Sequence, residues 1–362
     1  MSRTETQLEY LRAQMVDAHI DLVAVGPTTN MRYLLGFSPH PDERLCLLLV
    51  TASSAGIVVP ALNADQLAEH TDLPLFRWAD EDGPDAALRD ALLAAGHGGR
   101  LAVDGTTRAD FILPLLEQVK VGGVLSAGSL FTPLRQRKSA EEIELLAAAA
   151  VQADRAMAAG AAACRPGASE ADVAWAIEAA FRQDGAETVD FALVASGPNG
   201  AFPHHHAGPR RLQVGDAIVL DIGATRQGYK SDITRMVCLG QPGEEVRRAY
   251  AAVLAANERG RAAVHPGATA GDVDHAARRA LAEAGYGDYF THRTGHGLGL
   301  DGHEPPWIAN GSQTVLEEGM VFSIEPGVYL PGRFGIRIED IVAVSASGAR
   351  LLTGFDHSLI VK

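Results

Sequence analysis

The sequence has little of what secreted, membrane-spanning or nucleic-acid-binding proteins depend on. Cysteine occurs three times in 362 residues, at Cys46, Cys164 and Cys238. An odd number of widely separated cysteines in apolar or alanine-rich surroundings predicts reduced core residues rather than a disulfide framework. No apolar run approaches the roughly 18 residues of a membrane span, and Met1 to Tyr10 carry no apolar signal core. We therefore expect a cytoplasmic protein without membrane contact.

Basic residues are scarce as well. The chain has 31 Lys and Arg against 45 Asp and Glu, which gives a net charge of -14. It has no basic stripe of the kind that follows a phosphate backbone, so we expect no nucleic-acid partner. What the sequence does have is length and apolar content. With 362 residues, 47% of them hydrophobic, it is long enough for two domains with a large core.

Two segments of different pattern divide the chain. Residues 1–132 alternate helical patterns with short apolar strands, which predicts a small α/β domain. Its predicted elements are helices at Thr4 to Asp17 and Asp85 to Ala95, and strands at Asp21 to Val25, Leu45 to Val50, Gly56 to Pro60 and Arg100 to Asp104. After a break near Phe131 to Lys138, Ser139-Ala-Glu-Glu142 forms a capping box that predicts the start of a long helix. The second domain, residues 133–362, begins here.

Helices and strands are segregated in the second domain. Helical patterns continue through Val151 to Ala163 and occupy Ala171 to Gln183, Glu244 to Ala263 and Gly271 to Ala284. Strand patterns lie at Phe191 to Ala195, Ala217 to Gly223, Tyr229 to Val237, Met320 to Pro326 and Gly335 to Val344, with a final strand ending at Lys362. This segregation predicts an α+β fold in which paired helices back a curved antiparallel sheet.

The second domain also contains a repeat. The stretch Leu212-Gln-Val-Gly-Asp-Ala-Ile-Val-Leu-Asp221 reappears as Leu316-Glu-Glu-Gly-Met-Val-Phe-Ser-Ile-Glu325. Upstream, Arg165 to Val173 reappears as His265 to Val273. Two pairs of similar segments in the same order predict a duplicated unit. If the halves pack about a pseudo-twofold axis, the acidic residue that ends each long stretch converges on its equivalent.

Four carboxylates and one imidazole make up a candidate metal site, formed by Asp221, Asp232, His296, Glu325 and Glu339. Asp221 and Glu325 directly follow buried-type apolar runs, and Asp232 and Glu339 lie on the strands that follow. Taken singly, each acidic residue has the alternative of a solvated strand end. Taken together, buried anions need a compensating cation, and a pair of divalent ions about 3.5 to 4 Å apart meets that need. The oxygen-rich set favours Mn over a thiolate-type zinc site.

These residues stand in motifs that resemble the pita-bread metallopeptidases, and among them the Xaa-Pro peptidases, prolidase and aminopeptidase P. The motifs are Asp221-x10-Asp232, Thr294-Gly-His296-Gly-Leu-Gly-Leu-x-x-His303-Glu304, Ile324-Glu325-Pro-Gly-x-Tyr329 and Arg337-x-Glu339-Asp340. The segment Asn30 to Phe37 resembles the family's N-terminal domain. Methionine aminopeptidases usually lack that domain, and creatine-hydrolysing relatives lack the metal ligands, so neither group is favoured.

The resemblance implies two divalent ions per subunit of a homodimer, with Mn expected and Co or Zn as alternatives. Asp221 would bind one ion through both oxygens, Asp232 and Glu339 would bridge, and His296 with Glu325 would complete the other ion.

Two further residues share strand faces with these ligands. By the two-residue period of a strand, Thr234 lies on the face of Asp232, and Arg337 lies on the face of Glu339. Thr234 is therefore a candidate supporting hydroxyl, and Arg337 is a candidate guanidinium that orients Glu339 or a substrate group. An exposed strand charge is the alternative interpretation of Arg337.

The implied reaction is attack of a metal-bridging hydroxide on the carbonyl that precedes proline. His204 and His303 are the candidate donors to the oxyanion, and Glu325 is the candidate proton shuttle. The neighbours of His204, His205 and His206, are interpreted as solvated loop residues.

Substrate binding requires an apolar wall for proline and a partner for the far end of the peptide. For the wall, the resemblance points to His292, with Tyr329 nearby, although an ordinary strand aromatic is an equally good interpretation of Tyr329. For the free carboxylate of a dipeptide, Arg44 of the first domain is a candidate bidentate partner. The alternative for Arg44 is a solvated loop residue paired with Asp42 or Glu43.

The function expected from these residues is hydrolysis of Xaa-Pro dipeptides or short peptides, as in prolidase. Within enzymes, the alternative is an aminopeptidase P that removes the residue before proline from longer peptides. A more remote alternative is a non-catalytic pita-bread binding module, although such modules typically have broken ligand sets and all five positions are filled here.

Overall fold

A six-stranded mixed sheet organises the first of two units in the computed structural model, which describes residues 3–96 and 99–362. This unit spans Met1–Arg135. Its strands are β1 (Leu22–Val25), β2 (Leu47–Val50), β3 (Ala55–Pro60), β4 (Leu75–Trp78), β5 (Gly99–Val103) and β6 (Val121–Ser126). They lie in the order β4-β3-β2-β1-β5-β6, with β1 antiparallel to β2 and parallel to β5.

Helices flank these strands in the sequence, as expected for an α/β domain. They are α1 (Arg3–Asp17), α2 (Thr29–Leu35), α3 (Ala61–Ala68), α4 (Asp85–Ala95), α5 (Ala109–Gln118) and α6 (Gly128–Arg135). The predicted domain end at residue 132 falls inside α6, because Pro133 lies within that helix rather than after it. The second unit spans Gln136–Lys362.

The second unit begins with the predicted capping box and contains two pairs of helices. Ser139 caps α7 (Ala140–Ala163), and its hydroxyl and the Glu142 carboxylate each accept from the other residue's backbone N–H. The first pair is α7 with α8 (Glu170–Gln183), and the second is α9 (Glu244–Ala262) with α10 (Ala270–Glu283). Two short 3-10 helices lie at Gly197–Ala201 and Gly287–Tyr289.

Each helix pair accompanies one five-stranded sheet. The first sheet contains β7 (Thr188–Ser196), β8 (Ala217–Arg226), β9 (Tyr229–Lys230), β10 (Ile233–Cys238) and β18 (Ile360–Val361). The second contains β11 (Gly295–Gly297), β12 (Glu304–Ile308), β13 (Val321–Ile324), β16 (Asp340–Ser345) and β17 (Gly348–Leu351), while β14 (Gly327–Leu330) and β15 (Phe334–Arg337) form a separate hairpin. All strand pairs of this unit are antiparallel except β10 with β18.

The two halves repeat each other in backbone contacts as well as in sequence. Ser169 forms an isolated bridge with Arg211, and Thr269 forms the corresponding bridge with Val315. The residue after each bridge, Leu212 or Leu316, donates its N–H to the residue before the helix cap over 2.8 Å. Together these contacts confirm the duplicated α+β architecture that the sequence predicts.

Small residues explain part of the alanine bias of the helices. Ala149, Ala153 and Ala156 of α7 are buried, and a Cβ at Gly160 would lie 2.6 Å from a side-chain carbon of Ile177 on α8. Such residues let helices approach each other and the sheet closely, because interiors are packed at crystal-like density. Among the described residues, none of the helices combines the length and apolar character needed to cross a membrane.

Two strands predicted as continuous are interrupted at positions of predicted ligands. The predicted strand Tyr229 to Val237 is divided into β9 and β10, and Asp232 lies in the gap. The predicted strand Gly335 to Val344 is divided into β15 and β16, and Glu339 lies in that gap. The reason is that β15 pairs with β14, whereas β16 pairs with β13, so the chain leaves one ladder before joining the next. Asp232 therefore lies at the edge of a strand, directly before β10, and Glu339 forms an isolated bridge with Thr234 directly before β16.

We expect the caps of the duplicated helices to contribute equally to stability. Ser169→Ala and Thr269→Ala should each lower the free energy of unfolding by about 1 kcal/mol, because each removes the acceptor for one helix N–H. Chemical denaturation followed by circular dichroism measures both changes. Ser347→Ala, at an exposed turn, is the control and should change stability by less than about 0.5 kcal/mol. A cost at only one of the two caps would contradict the equivalence of the halves.

Candidate metal centre

The structure brings all five predicted ligand side chains into one cluster. Oxygen atoms of Asp221, Asp232 and Glu339 lie within 4.8 Å of one another, and so do ligand atoms of His296, Glu325 and Glu339. Glu339 belongs to both groups. The cluster therefore has the donors for two neighbouring cations with a shared carboxylate.

Backbone pairing explains how residues far apart in sequence meet here. Asp221 lies at the centre of β8, opposite Thr234 of β10. The N–H of Glu339 donates to the carbonyl of Thr234 over 3.2 Å, which brings the second half against the first. Glu325 directly follows β13, and its N–H donates to the carbonyl of Thr294 over 2.8 Å.

The positions on both sides of His296 have no room for a side chain, which explains why both are glycine. A Cβ at Gly295 would collide with the carbonyl oxygen of Ser323, and one at Gly297 would collide with that of Pro305. Without side chains there, β11 lies close to its neighbours, and the His296 N–H donates to the Ser323 hydroxyl over 3.0 Å. The same hydroxyl donates to Glu325 over 3.2 Å, so Ser323 links two of the predicted ligands.

Three observations show that the cluster fits divalent cations. The Nδ1 of His296 lies 3.1 Å from the carbonyl oxygen of Gly297, which can only accept, so Nδ1 donates there and Nε2 is directed at Glu325 over 3.2 Å. The Oδ1 atom of Asp221 is buried and has no hydrogen-bond partner among the described residues. Burial, followed by repulsion from neighbouring carboxylates, raises the pKa of Asp232 and of Glu339 well above the ordinary range. A cation would satisfy the lone pairs and relieve the repulsion.

Arg337 and Thr234 connect the carboxylates to each other. Arg337 is buried and donates to Asp221 over 2.5 Å and to the Thr234 hydroxyl over 3.2 Å. Thr234 donates in turn to Glu339 over 2.8 Å. Arg337 is thus not an exposed strand charge, and it reaches Glu339 through Thr234 rather than directly.

His292 and Tyr329 form a hydrogen-bonded chain with Arg337. The Nδ1 of His292 lies 2.6 Å from the carbonyl of Arg293, so its Nε2 accepts from the Tyr329 hydroxyl over 2.8 Å. That hydroxyl also accepts from Arg337 over 2.8 Å. Burial lowers the pKa of His292 and raises the pKa of Tyr329 to about 12, so both rings are neutral at physiological pH.

The ligand cluster opens into a cavity of about 900 Å³ that the predicted catalytic histidines also line. The ring of His303 lies 3.8 Å from the ring of His296, centroid to centroid. Burial and the neighbouring His296 lower the pKa of His303 to about 4. Since Arg293 can only donate, its 3.4 Å contact makes Nδ1 of His303 an acceptor and leaves Nε2–H as a donor.

The loop that carries His204 is held by a buried carboxylate that the sequence did not single out. Glu170, at the start of α8, accepts from the N–H and hydroxyl of Ser196, from Asn199 and from His205. The interpretation of His205 as a solvated residue is therefore wrong, because its Nε2 lies 2.8 Å from Glu170, whereas His206 is exposed. These partners are 26 to 35 residues from Glu170, and no local pattern reveals them.

Arg44 belongs to the first unit and is engaged there. Its guanidinium donates to both oxygens of Asp80, over 2.9 and 3.0 Å, and also contacts Asp42 and Glu43. These contacts correspond to the alternative that the sequence left open, a loop arginine paired with neighbouring carboxylates. Its selection of dipeptides stays a prediction.

Asp340, directly after Glu339, has a carboxyl group whose pKa is lowered rather than raised. Asp340 is fully buried and accepts from Arg235 over 2.8 Å and from His357 over 2.7 Å. Burial raises its pKa, but the His357 hydrogen bond and the Arg235 charge outweigh burial and lower it to about 2. Arg235 also donates to the carbonyls of Thr234 and Glu339, so this buried pair supports the ligand strands from behind.

Comparisons with known proteins agree with this geometry. The model of metallopeptidase family M24 matches residues 144–346, and the creatinase/prolidase N-terminal domain matches residues 7–137. A probable dipeptidase PepE of Mycobacterium tuberculosis is 41% identical over 98% of this chain and 96% of its own length. A Xaa-Pro dipeptidase of Pyrococcus furiosus is 36% identical over 98% of this chain and 99% of its own. The crystal structure of a prolidase from Thermococcus sibiricus superposes with a TM-score of 0.95 at 35% identity and covers 100% of both chains.

We expect Glu339 and Asp340 to respond oppositely to loss of charge. In metal-free protein, Glu339→Gln should leave the free energy of unfolding unchanged or raise it, because it relieves repulsion in the cluster. Asp340→Asn should lower it by about 2 to 4 kcal/mol, because Arg235 loses its buried counter-ion. The depressed pKa means that the Asp340 contribution is complete above about pH 4 and is lost as the pH falls towards 2. Urea denaturation at pH 7 and at pH 3 measures both effects.

The same variants test the metal site directly. Mn²⁺ at about 100 times its dissociation constant should stabilise the parent protein by about 2.7 kcal/mol, and Glu339→Gln should lose most of that gain. Full metal-dependent stabilisation of the Glu339 variant would contradict the assignment of this carboxylate as a ligand.

Proposed function

Since the chain belongs to metallopeptidase family M24, with a creatinase/prolidase N-terminal domain, we propose that it hydrolyses the bond before proline in Xaa-Pro dipeptides. The observation that carries this proposal is the convergence of five side chains with metal-ligating atoms on one cavity of about 900 Å³. The full-length similarity to a Xaa-Pro dipeptidase supports the substrate class.

Asp221, Asp232, His296, Glu325 and Glu339 would hold two divalent ions per subunit. We propose Mn as the native metal, with Co or Zn as alternatives, because four of the five ligands are carboxylates. When bound, such ions lower the pKa of water and polarise a carbonyl group.

The chain's own residues would supply proton transfer and oxyanion stabilisation. Glu325, hydrogen-bonded to Ser323, is the proposed carrier of the proton from the attacking water to the leaving nitrogen. The Nε2–H of His303 and the ring of His204 line the same cavity and are the proposed donors to the developing oxyanion. A neutral imidazole at His303 suits this donor role, because its pKa of about 4 keeps it uncharged at neutral pH.

His292 and Tyr329 are proposed to form the wall against the proline ring. Their polar atoms are already used in the chain that leads to Arg337. They can therefore present carbon surface to a substrate without leaving an unsatisfied polar group. The ring of His292 also packs on that of Phe290 in a T-shaped arrangement, with ring centroids 5.0 Å apart.

We further propose a homodimer in a reducing cytoplasm. Three free cysteines, all buried, support the reducing compartment. The resemblance to prolidase is the basis for proposing a dimer.

The test is metal-dependent turnover of defined peptides. After chelation and reconstitution with Mn²⁺, Co²⁺ or Zn²⁺, the protein should hydrolyse Ala-Pro and not Ala-Ala. Glu325→Gln should lower kcat by roughly 10²- to 10⁴-fold, because the proton carrier is lost. Undiminished turnover after chelation, or none with any ion, would overturn the proposal. Faster turnover of Ala-Pro-Gly-Gly than of Ala-Pro would favour an aminopeptidase P instead.

Glu170 provides a second test, because it touches the His204 loop but no metal ligand. Glu170→Gln should lower kcat on Ala-Pro by roughly tenfold or more, since an amide group cannot accept from all of these donors. Stabilisation by Mn²⁺ should be retained, and Glu283→Gln, at an exposed surface pair, serves as the control. Unchanged kcat would show that the position of His204 does not depend on Glu170.

A further inference from the structure

A buried ion pair adjoins His303 and has no part in the proposed chemistry. Glu304, the next residue in the chain, begins β12, and its Oε1 accepts from the Lys138 ammonium over 2.6 Å. The Lys138 side chain is 2% exposed and that of Glu304 is 7% exposed. In the part of the chain that the structure describes, neither of them lines the cavity, so any effect of the pair on a substrate passes through another residue.

The segment that joins β11 to β12 carries His303 and is rich in glycine. Residues 297–303 include Gly297, Gly299 and Gly302. Glycine leaves the backbone free to adopt many conformations, and a segment outside the sheet ladder does not lose that freedom by strand pairing. The position of His303 at the cavity therefore depends on contacts that hold this segment from outside.

The Glu304 carboxylate supplies such contacts. Its Oε2 accepts from the Asp301 N–H over 3.3 Å. A Cβ at Gly299 would lie 2.6 Å from its Oε1, so the backbone of the segment passes directly against the carboxylate. The carboxylate thus restrains the segment at two points before His303.

Lys138 extends from a backbone that the second sheet holds in place. Its N–H donates to the carbonyl of Gly319 over 2.8 Å, and a Cβ at Gly319 would lie 2.7 Å from the Lys138 carbonyl oxygen. The preceding residue, Arg137, forms an isolated bridge with Met320, directly before β13. Because this backbone is fixed, the ammonium group determines where the Glu304 carboxylate lies.

The ring contacts of His303 also depend on β12. The His303 ring lies 3.8 Å from the ring of His296, centroid to centroid. The Arg293 guanidinium, which lies 3.4 Å from Nδ1 of His303, stacks over Trp307 of β12 at 4.4 Å from the ring centroid. A shift of β12 would therefore move the imidazole relative to the ligand cluster, and misplacement by about 1 Å can cost roughly 10²-fold in rate.

Stability alone does not explain a buried ion pair of this kind. The cost of removing both charges from water roughly cancels their attraction, and apolar residues of similar volume are often equally stable or more stable. Loss of one partner is destabilising, because the other charge then stays buried and unpaired. What the pair adds over apolar packing is a defined position, because the short hydrogen bond gives the carboxylate one partner at one place.

We propose that Lys138 and Glu304 are positioning residues that hold His303 where its Nε2–H meets the developing oxyanion. This inference rests on the proposed Xaa-Pro hydrolysis and adds the pair through which the fold places one of the two oxyanion donors. Lys138 and Glu304 touch neither the substrate nor the ligand cluster, so their effect on the reaction is exerted through His303.

The test compares single and double replacements of the pair in the Mn²⁺-loaded protein. Lys138→Met and Glu304→Met should each lower the urea midpoint of unfolding, and the double variant should regain most of that loss. All three should lower kcat on Ala-Pro by roughly 10- to 100-fold, with KM and the dissociation constant of Mn²⁺ within about threefold of the parent values, because an oxyanion donor acts only in the transition state. Arg137→Met with Glu317→Met removes an exposed pair beside Lys138, is the matched control, and should change neither kcat nor the midpoint.

A His303→Ala background identifies the residue through which the pair acts. His303→Ala alone should lower kcat by roughly 10²- to 10³-fold, the usual cost of one oxyanion donor. Adding Lys138→Met and Glu304→Met to this variant should lower kcat by less than about threefold more, because no donor remains to be positioned.

The outcomes separate this inference from the proposed function. A double variant that regains kcat together with stability, or that loses as much kcat in the His303→Ala background as in the parent, would overturn the positioning role while hydrolysis by the parent protein still supports the function. A loss of kcat that saturating Mn²⁺ reverses would overturn it too, because the pair would then support the ligand cluster. Absence of any turnover by the metal-loaded parent protein would overturn both.

Discussion

Four carboxylates share one buried space, and that constraint governs the organisation of the domain. Burial and repulsion from neighbouring carboxylates raise the pKa of Asp232 and of Glu339, so without cations these two groups ionise against their surroundings. The surrounding framework opposes this repulsion. Arg337 and Thr234 bind the carboxylates from one side, and Arg235, fixed by Asp340, binds the backbone of the same strands. Because the framework already holds the ligands together, bound ions need not gather them from a disordered chain.

The duplicated halves together supply the four carboxylates of the cluster. Each half contributes one carboxylate within or just after an apolar strand, Asp221 or Glu325, and a second one directly before a later strand, Asp232 or Glu339. The halves are not identical at the site, because only the second contributes an imidazole, His296, next to its carboxylates. Two similar strand pairs thus create two chemically different places for a cation, one surrounded by oxygen atoms and one that includes nitrogen.

The sequence predicted the features that local patterns encode. The α7 cap at Ser139, the helices of both pairs and the clustering of the five candidate ligand side chains all follow from short motifs, and the solved prolidase structures share the predicted fold. The sequence did not predict features that depend on which neighbouring strand a residue pairs with. Glu339 looked like a strand residue because its neighbours alternate, but the chain changes partner strands there. The Glu170 contacts with the His204 loop and the Arg293 stack on Trp307 join segments whose proximity only the folded sheet creates.

The hydrogen-bonded chain from Asp221 through Arg337 and Tyr329 to His292 joins the ligand cluster to the wall proposed for proline. Binding at the ligand cluster and binding at the aromatic wall can therefore be thermodynamically linked. If a cation that fixes Asp221 also fixes the aromatic surface through this chain, a ligand that packs on the surface raises the affinity for the cation by the same factor. A ligand retained on this surface would accordingly slow release of the cation.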